Sequence, residues 1–252
     1  MPYPNINAVI ADLQLIVNHC KINNLRAGYF AALYLRMTQA VKEGIAKGIF
    51  EDGPRMEQLD VHFAARYTDA WKCFLAQQPC SPSWQYTFTS SSNTNNIVLQ
   101  HLLLGINTHI NLDLAIAAAA IAPGDKIDDL EKDFNAINSI IAGLFDDVQE
   151  CLSQVWAPMR FLARVMNGRH EAVLNFSIDK ARATSWSNAV LLANMTPDQQ
   201  SKHIEAMDHL VMKLGKKIEQ PGPWAIYLLK LIRKTEFDVP ARTIGLIESI
   251  VM

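Results

Sequence analysis

Two side chains one helical turn apart, His109 and Asp113, are the residues of this sequence best suited to chemistry. They lie in HLLLGINTHINLDL (residues 101–114), where polar residues interrupt an otherwise apolar run. Positions four apart on an α-helix differ by only about 40° around its axis, so His101, Gly105, His109 and Asp113 form one stripe. Gly105 costs the helix about 1 kcal/mol relative to alanine, which favours close packing or ligand access there. We expect a polar cluster inside a helical core.

A histidine and an aspartate that meet at one place can share a metal ion. Because His109 and Asp113 are one turn apart, they can meet at a single divalent metal such as zinc, iron or manganese. His101 lies about 12 Å along the helix from His109, so it would serve a second ion or a separate hydrogen bond. A complete metal site needs ligands from another helix, for which the sequence offers Asp60, His62 and Asp133.

The leading functional hypothesis from these residues is a metal-dependent hydrolase. The metal would activate a water molecule that cleaves an ester or phosphoester, with His101, His109, Asp113 and Asp60 as the candidate catalytic residues. The alternative is a structural role, in which Asp113 accepts a hydrogen bond from His109 and fixes its tautomer. The HExxH, paired ExxH, GxSxG, phosphate-loop and GxGxxG motifs are absent, so the common enzyme classes that carry them are not supported.

Two other functional classes stay open. A non-catalytic binding protein would receive a small amphipathic molecule between apolar walls supplied by Tyr67, Trp71 and Trp84. A homo-oligomer would form if the apolar stripe of RTIGLIESIVM (residues 242–252) mediated self-association, with the polar cluster as a structural core. The candidate ligand-binding residues are Arg66, Tyr67, Asn107, Asn111, Asp133 and Asn138.

The segment RMEQLDVHFAARYTDAW (residues 55–71) predicts a helix with chemically different faces. Asp60 lies on the face of the aromatic residues, whereas Arg66 and Asp69 share the opposite face. If the aromatic face is inward, Asp60 is buried and needs a partner, with Arg55 or a histidine of the central helix as candidates. For Arg66 and Asp69 we expect an ion pair at the surface.

Two asparagines, Asn107 and Asn111, lie on a different face of the central helix from the histidines. Buried asparagines are usually hydrogen-bonded, so we expect these two to reach carbonyls or side chains of a neighbouring helix. Asp133 and Asn138, in DFNAIN, are further polar residues on a predicted helix that would need hydrogen-bond partners if they were buried. The alternative for Asp133 is an exposed acid in the first turn of a helix.

The elements that must position these residues are helices. Apolar residues recur at three- and four-residue intervals along almost the whole chain. The sequence therefore predicts an all-α fold, a single compact domain over residues 1–252, with about nine to ten helices around a buried central helix near residues 96–122. We expect the polar run TFTSSSNTNN to cap that helix. The predicted helices cover about residues 5–23, 25–47, 55–77, 96–122, 125–155, 157–166, 172–194, 197–216, 224–234 and 240–251.

The composition limits the partners. Lys and Arg total 23 against 25 acidic residues, so nucleic acid and anionic membranes are not expected as main partners. The apolar run from Leu114 to Ala122 is far shorter than the roughly 20 residues that cross a bilayer. The segment MPYPNINAVIADLQ has no basic stretch before an apolar one, which favours a cytoplasmic location. The four scattered cysteines are expected to be free thiols.

Four segments carry a family resemblance: YFAALYLRMT, EDGPRMEQLDVHFAARY, QHLLLGINTHINLDLAIAA and DFNAIN. They resemble the domain-of-unknown-function family DUF5995 over roughly the N-terminal 60% of the chain. The resemblance implies an all-helical protein but no particular activity. The positions that it marks as the family signature are Asp60, Arg66, Tyr67, His101, Asn107, His109, Asn111, Asp113, Asp133 and Asn138.

Overall fold

The computed structural model describes residues 3–137, 140 and 178–249. Throughout these residues the regular elements are helical, which confirms the all-α prediction. Asn138, Cys151 and the predicted helix at 157–166 lie outside the described residues. The helices are α1 (Ile6–Ile22), α2 (Gly28–Ala46), α3 (Gly53–Leu75), α4 (Pro82–Ser90), α5 (Val98–Thr108), α6 (Leu114–Ile121), α7 (from residue 126, described to 137), α8 (Ile178–Ala193), α9 (Pro197–Glu219), α10 (Pro223–Arg233) and α11 (Pro240–Glu248).

Helix α4 was not predicted from the sequence. The Ser81 hydroxyl accepts a hydrogen bond from the Trp84 backbone N–H, and Pro82 occupies the first helical position. Both are ordinary start signals, since serine is a favoured cap and proline fits where a backbone N–H has no helical partner. The same logic holds at α9, where Gln199 accepts a hydrogen bond from the Thr196 backbone N–H as the sequence predicted.

The central helix runs without a break from Val98 to Ile121. It consists of α5, a π-helical turn at His109–Asp113 and α6. A π turn adds a residue to one turn of an α-helix, and such turns are frequent at functional sites. The sequence periodicity, read at a constant 3.6 residues per turn, did not predict it.

The start of the central helix differs from the prediction that the preceding Ser, Thr and Asn residues cap it. The Gln100 side chain accepts a hydrogen bond from the Ile97 N–H, and Glu236 accepts one from the Val98 N–H at 2.8 Å. The amides of Asn93 and Asn96, in the polar run, instead donate to Glu219 at the end of α9. The polar run therefore ties α4 to α9.

Two hydrophobic cores meet along the central helix. The first core is formed by α1–α5 and α11, and the second mainly by α3, α6, α7, α8 and α9. Helix α5 contributes Leu102 and Ile106 to the first core, whereas Leu112 and Leu114 belong to the second. The π turn thus lies where the central helix passes from one core to the other.

The central helix is long and apolar enough to cross a membrane, the one such helix in the described part of the chain. However, 83% of its most apolar 18-residue window is buried inside the protein. Val98–Ile121 is therefore the core helix that the sequence predicted.

Gly105 allows a close contact between the central helix and α2. A Cβ atom at this position would lie 2.3 Å from Cγ and 2.8 Å from Cβ of Phe30. Contacts this short do not occur between real atoms, so only glycine fits against the Phe30 ring. Of the two roles that the sequence left open for Gly105, the structure shows close packing.

Helix α11 packs into the first core. Ile244 and Ile247 are fully buried, and a Cβ at Gly28 would lie 2.4 Å from Ile244. In the described part of the apolar stripe considered for self-association, Ile244 and Ile247 are therefore covered by α1 and α2. Self-association through this stripe stays a prediction. Cys20, Cys73 and Cys80 are free thiols, as predicted.

Candidate ligand-binding site

Asp113 is the centre of a buried hydrogen-bond cluster. Its side chain has no solvent exposure, and Oδ1 accepts a hydrogen bond from Nε of Arg66 at 2.7 Å. Oδ2 accepts from Nε1 of Trp84 at 2.8 Å and pairs with Nδ1 of His109 at 3.1 Å. The predicted contact between His109 and Asp113 is confirmed. The predicted surface pair of Arg66 with Asp69 is wrong for Arg66, which turns inward to Asp113.

The cluster fixes the protonation of its members. Burial alone would raise the pKa of Asp113, but the Arg66 charge and the bonds from His109 and Trp84 hold that pKa below its ordinary value. Burial lowers the pKa of His109 in spite of the nearby carboxylate. A carboxylate only accepts hydrogen bonds, so Nδ1 of the neutral His109 carries the proton and Nε2 carries a lone pair.

Aromatic rings hold the His109 imidazole in place. Phe63 stacks on it with ring centroids 3.6 Å apart, and Tyr34 meets it edge-on at 4.3 Å. Nε2 is buried and has no hydrogen-bond partner among the described residues. A buried nitrogen without a partner is unusual and calls for a physical reason.

His109 lines an apolar cavity of about 80 Å³ between α2, α3 and the central helix. A single water molecule needs only about 10–15 Å³ on this scale, so the cavity has room for a small organic group. Its polar lining includes Asp60, Tyr34 and Arg182. Apolar lining residues include Phe30, Leu33, Met37, Phe63, Ile106 and Ile110.

Asp60 is the second buried polar group at the cavity. Its Oδ2 atom has no hydrogen-bond partner among the described residues. Burial, helped by the charge of Glu57, raises the pKa of Asp60 to about 8. Asp60 is therefore a neutral acid at pH 7, able to donate one hydrogen bond. The prediction that it would be buried is confirmed, but Arg55 is not its partner.

Arg55 pairs with Asp133 instead, at 2.8 Å. Asp133 is buried and also accepts hydrogen bonds from the backbone N–H groups of Glu51 and Asp52. The expectation of an exposed first-turn acid was wrong. Asp133 anchors the loop before α3 to α7, and its oxygens are satisfied by protein donors.

Asn107 and Asn111 connect the central helix to α9. The Asn107 amide donates to the backbone carbonyl of Val211 at 3.0 Å, and the Asn111 amide donates to Oδ1 of Asn107 at 3.2 Å. This confirms the predicted contact with a carbonyl of a neighbouring helix. Neither residue lines the cavity.

His101 and Tyr67 are buried but do not line the cavity. His101 packs edge-on against Tyr29, and burial together with the Arg26 charge lowers the pKa of His101 to about 3. The Tyr67 ring packs against Trp84 in the first core. Tyr67, Trp71 and Trp84, the predicted apolar walls, do not line the cavity, whose aromatic walls are Phe30, Tyr34 and Phe63.

The metal hypothesis finds little support in this geometry. The described residues contain no group of three or more His, Cys, Asp or Glu side chains that could hold a metal ion. Both oxygens of Asp113 already bind protein donors, one of them the Arg66 cation. A metal ion held by His109 and Asp113 would have to displace that cation. Metal binding by His109 and Asp113 stays a prediction.

A family model described as "Family of unknown function (DUF5995)" matches residues 6–221. The chain belongs to this family. The match includes the cavity and the whole Asp113 cluster of this DUF5995 protein, whereas α10 and α11 lie beyond it. Neither the curated proteins nor the solved structures give a match to the DUF5995 chain.

Proposed function

We propose that the protein binds a small amphipathic molecule in the cavity beside His109 and Asp60. The observation that carries the proposal is two buried polar atoms on residues that line one apolar cavity, Nε2 of His109 and Oδ2 of Asp60, which, like the Tyr34 hydroxyl, have no hydrogen-bond partner among the described residues. Leaving such an atom unpaired costs about 1–3 kcal/mol. A ligand that hydrogen-bonds to both atoms would recover this free energy.

The two atoms define the polar end of the ligand. Nε2 accepts a hydrogen bond, and the neutral Asp60 both donates and accepts one. A hydroxyl group fits this pair, because it donates to His109 while it accepts from Asp60. The rest of the molecule would lie against Phe30, Met37 and Phe63, which line the cavity.

Calorimetric titration with p-cresol and toluene tests the proposal, because these probes differ only by a hydroxyl group. We expect p-cresol to bind more tightly than toluene. Val41→Phe, which fills the cavity wall, should abolish binding of both probes, whereas Leu191→Phe on the surface should not. Native mass spectrometry of the purified protein tests for a retained organic ligand. Absence of any ligand and any probe binding, or unchanged binding to a folded Val41→Phe variant, overturns the proposal.

A second candidate function, hydrolysis without a metal, is favoured by the orientation of His109. Asp113 holds Nδ1, the His109 ring lines the cavity and Nε2 has no hydrogen-bond partner among the described residues, an arrangement suited to a general base. His109 would take a proton from water as the water oxygen bonds to an ester carbonyl. Asp60 would donate a hydrogen bond to the carbonyl oxygen. The bond to the alcohol then breaks, and the proton passes to the leaving oxygen.

Turnover of p-nitrophenyl butyrate tests this second function. His109→Gln should lose hydrolysis, and Asp113→Asn should lower kcat because His109 loses its fixed tautomer. Asp60→Asn keeps a donor, so it should keep activity. Its rate should no longer fall as the pH rises past about 8, where Asp60 ionises. Equal activity of the wild type and the His109→Gln variant rejects this function.

A cytoplasmic location remains part of the proposal. The burial of the central helix supports a chain that does not span a membrane through Val98–Ile121. Cell fractionation of the full chain tests it, and recovery with integral membrane proteins would contradict it.

A further inference from the structure

Helix α10 has an exposed aromatic face. Trp224, Tyr227 and Leu231 are exposed by 70%, 63% and 44%. Ile232 and Leu229, on the other side of the helix, are buried and pack with Ile97. The helix is therefore attached by one face and presents large apolar side chains to solvent on the other.

The exposed side chains of α10 form one continuous surface. At about 100° per residue, Trp224, Tyr227 and Leu231 lie within an arc of about 60°. Lys230 and Lys234 continue this arc on the side of Tyr227, and both are exposed. We call these five residues the α10 face.

The segment that forms the α10 face carries only basic charges. The sequence has no acidic residue from Gln220 to Thr235. The next acid, Glu236, is mostly buried and accepts a hydrogen bond from the Val98 N–H. Asp238 is paired with Arg233. Lys230 and Lys234 therefore have no acidic neighbour on their own helix.

We propose that the α10 face binds to the surface of an anionic phospholipid membrane. Tryptophan and tyrosine are enriched at the boundary between headgroups and acyl chains, where their rings are amphipathic. A helix that combines these rings with lysines and no acids binds such a surface in its plane. Lys230 and Lys234 would contact the lipid phosphates while Trp224, Tyr227 and Leu231 enter the boundary.

The overall charge of −2 argued against this partner at the level of the sequence. That value averages over the whole surface, whereas a membrane contacts one face and electrostatic attraction acts over about 10 Å. The α10 face also lies beyond the matched family region and apart from the cavity lining. This inference is therefore independent of the proposed function.

Co-sedimentation of the full chain with lipid vesicles tests the inference. We expect binding to vesicles of phosphatidylcholine mixed with phosphatidylserine and much weaker binding to pure phosphatidylcholine. Each lysine near the surface contributes about fivefold in affinity, so K230E/K234E should weaken binding at least about 25-fold. The matched control K42E/K202E changes the net charge equally, at exposed lysines elsewhere. It should retain most of the binding.

The apolar contribution is tested by W224S/Y227S, against L191S/L210S at two other exposed leucines. We expect only W224S/Y227S to lose binding, with circular dichroism showing that the variants are folded. If W224S/Y227S fails to fold, the lysine variants decide the question. Absence of binding to anionic vesicles, or equal loss in both lysine pairs, overturns the inference. It is also overturned if W224S/Y227S changes the mass of the protein in solution without changing vesicle binding.

Discussion

Asp113 accepts hydrogen bonds from side chains of α3, α4 and the π turn, so its removal leaves two buried donors and the partly buried Arg66 without an acceptor. We expect Asp113→Ala to lower the free energy of unfolding by about 3–5 kcal/mol, because Arg66 would remain buried in part without a counter-ion. Asp69→Ala removes an exposed acid from the same helix as Arg66 and should change stability by less than about 0.5 kcal/mol. Urea unfolding measures both, and equal effects would contradict the role of Asp113.

Asp60 makes stability depend on pH. Its pKa is raised to about 8 in the folded protein, while in the unfolded chain it is near 4. The native state therefore holds a proton that the unfolded state releases between these values, so the free energy of unfolding falls as the pH rises from about 4 to about 8. Asp60→Asn has no such proton. Urea unfolding at pH 5, 7 and 8 should show that the free energy of unfolding of the variant rises relative to that of the wild type as the pH rises. A difference between the two free energies that does not change with pH would refute this.

The sequence predicted the contacts within one helix better than those between helices. His109 and Asp113 meet because a spacing of four residues brings side chains together on any helix, including one with a π turn. Arg66 and Trp84 reach Asp113 from other helices, whose rotation depends on packing. On α3 both faces carry polar residues, so the pattern could not decide whether Arg66 points inward.

The element that depends most on a single residue is the central helix at Gly105. We expect Gly105→Ala to destabilise the protein, because the clash with Phe30 costs about 1–3 kcal/mol and outweighs the gain of about 1 kcal/mol in helix propensity. Gly245→Ala, in α11, is the control, since a Cβ there meets nothing within 4 Å. Thermal unfolding should show a lower Tm for the first variant and an equal or higher Tm for the second. A rise in both would show that Phe30 moves aside freely.

The elements themselves were only partly predictable. Apolar periodicity located the long helices, but α4 has nine residues and no clear apolar stripe. The structure shows an ordinary start signal at Ser81 and Pro82, which the sequence analysis did not use. The π turn at His109–Asp113 has no sequence signal of this kind.

At the scale of the whole molecule, α11 completes the first core. Ending the chain after Val239 removes the buried Ile244 and Ile247, each of which contributes about 2–5 kcal/mol. We expect a fall of at least about 4 kcal/mol in the free energy of unfolding. Leu210→Ala, an exposed site, should change it little. Light scattering with urea unfolding separates this from self-association; a change in mass with unchanged stability would favour the dimer hypothesis.

The fold class followed from composition and periodicity, whereas the position of the cavity did not. A cavity is the space that remains after helices pack, and Phe30, Phe63 and Ile110 come from three different elements. Burial of Asp60 was predictable from the aromatic residues on its helix face. That its Oδ2 has no hydrogen-bond partner among the described residues was not predictable, because Arg55 had an alternative in Asp133.

The passage of one helix through both cores has a consequence for cooperativity. Chains of this size often unfold through intermediates, one region after another. Here, if either core unfolded alone, about half of the apolar helix Val98–Ile121 would become exposed to solvent. We expect the two cores to unfold in one transition, with equal calorimetric and van't Hoff enthalpies. Two resolved heat-capacity peaks would mean that the two cores unfold separately, with the π turn as the boundary between them.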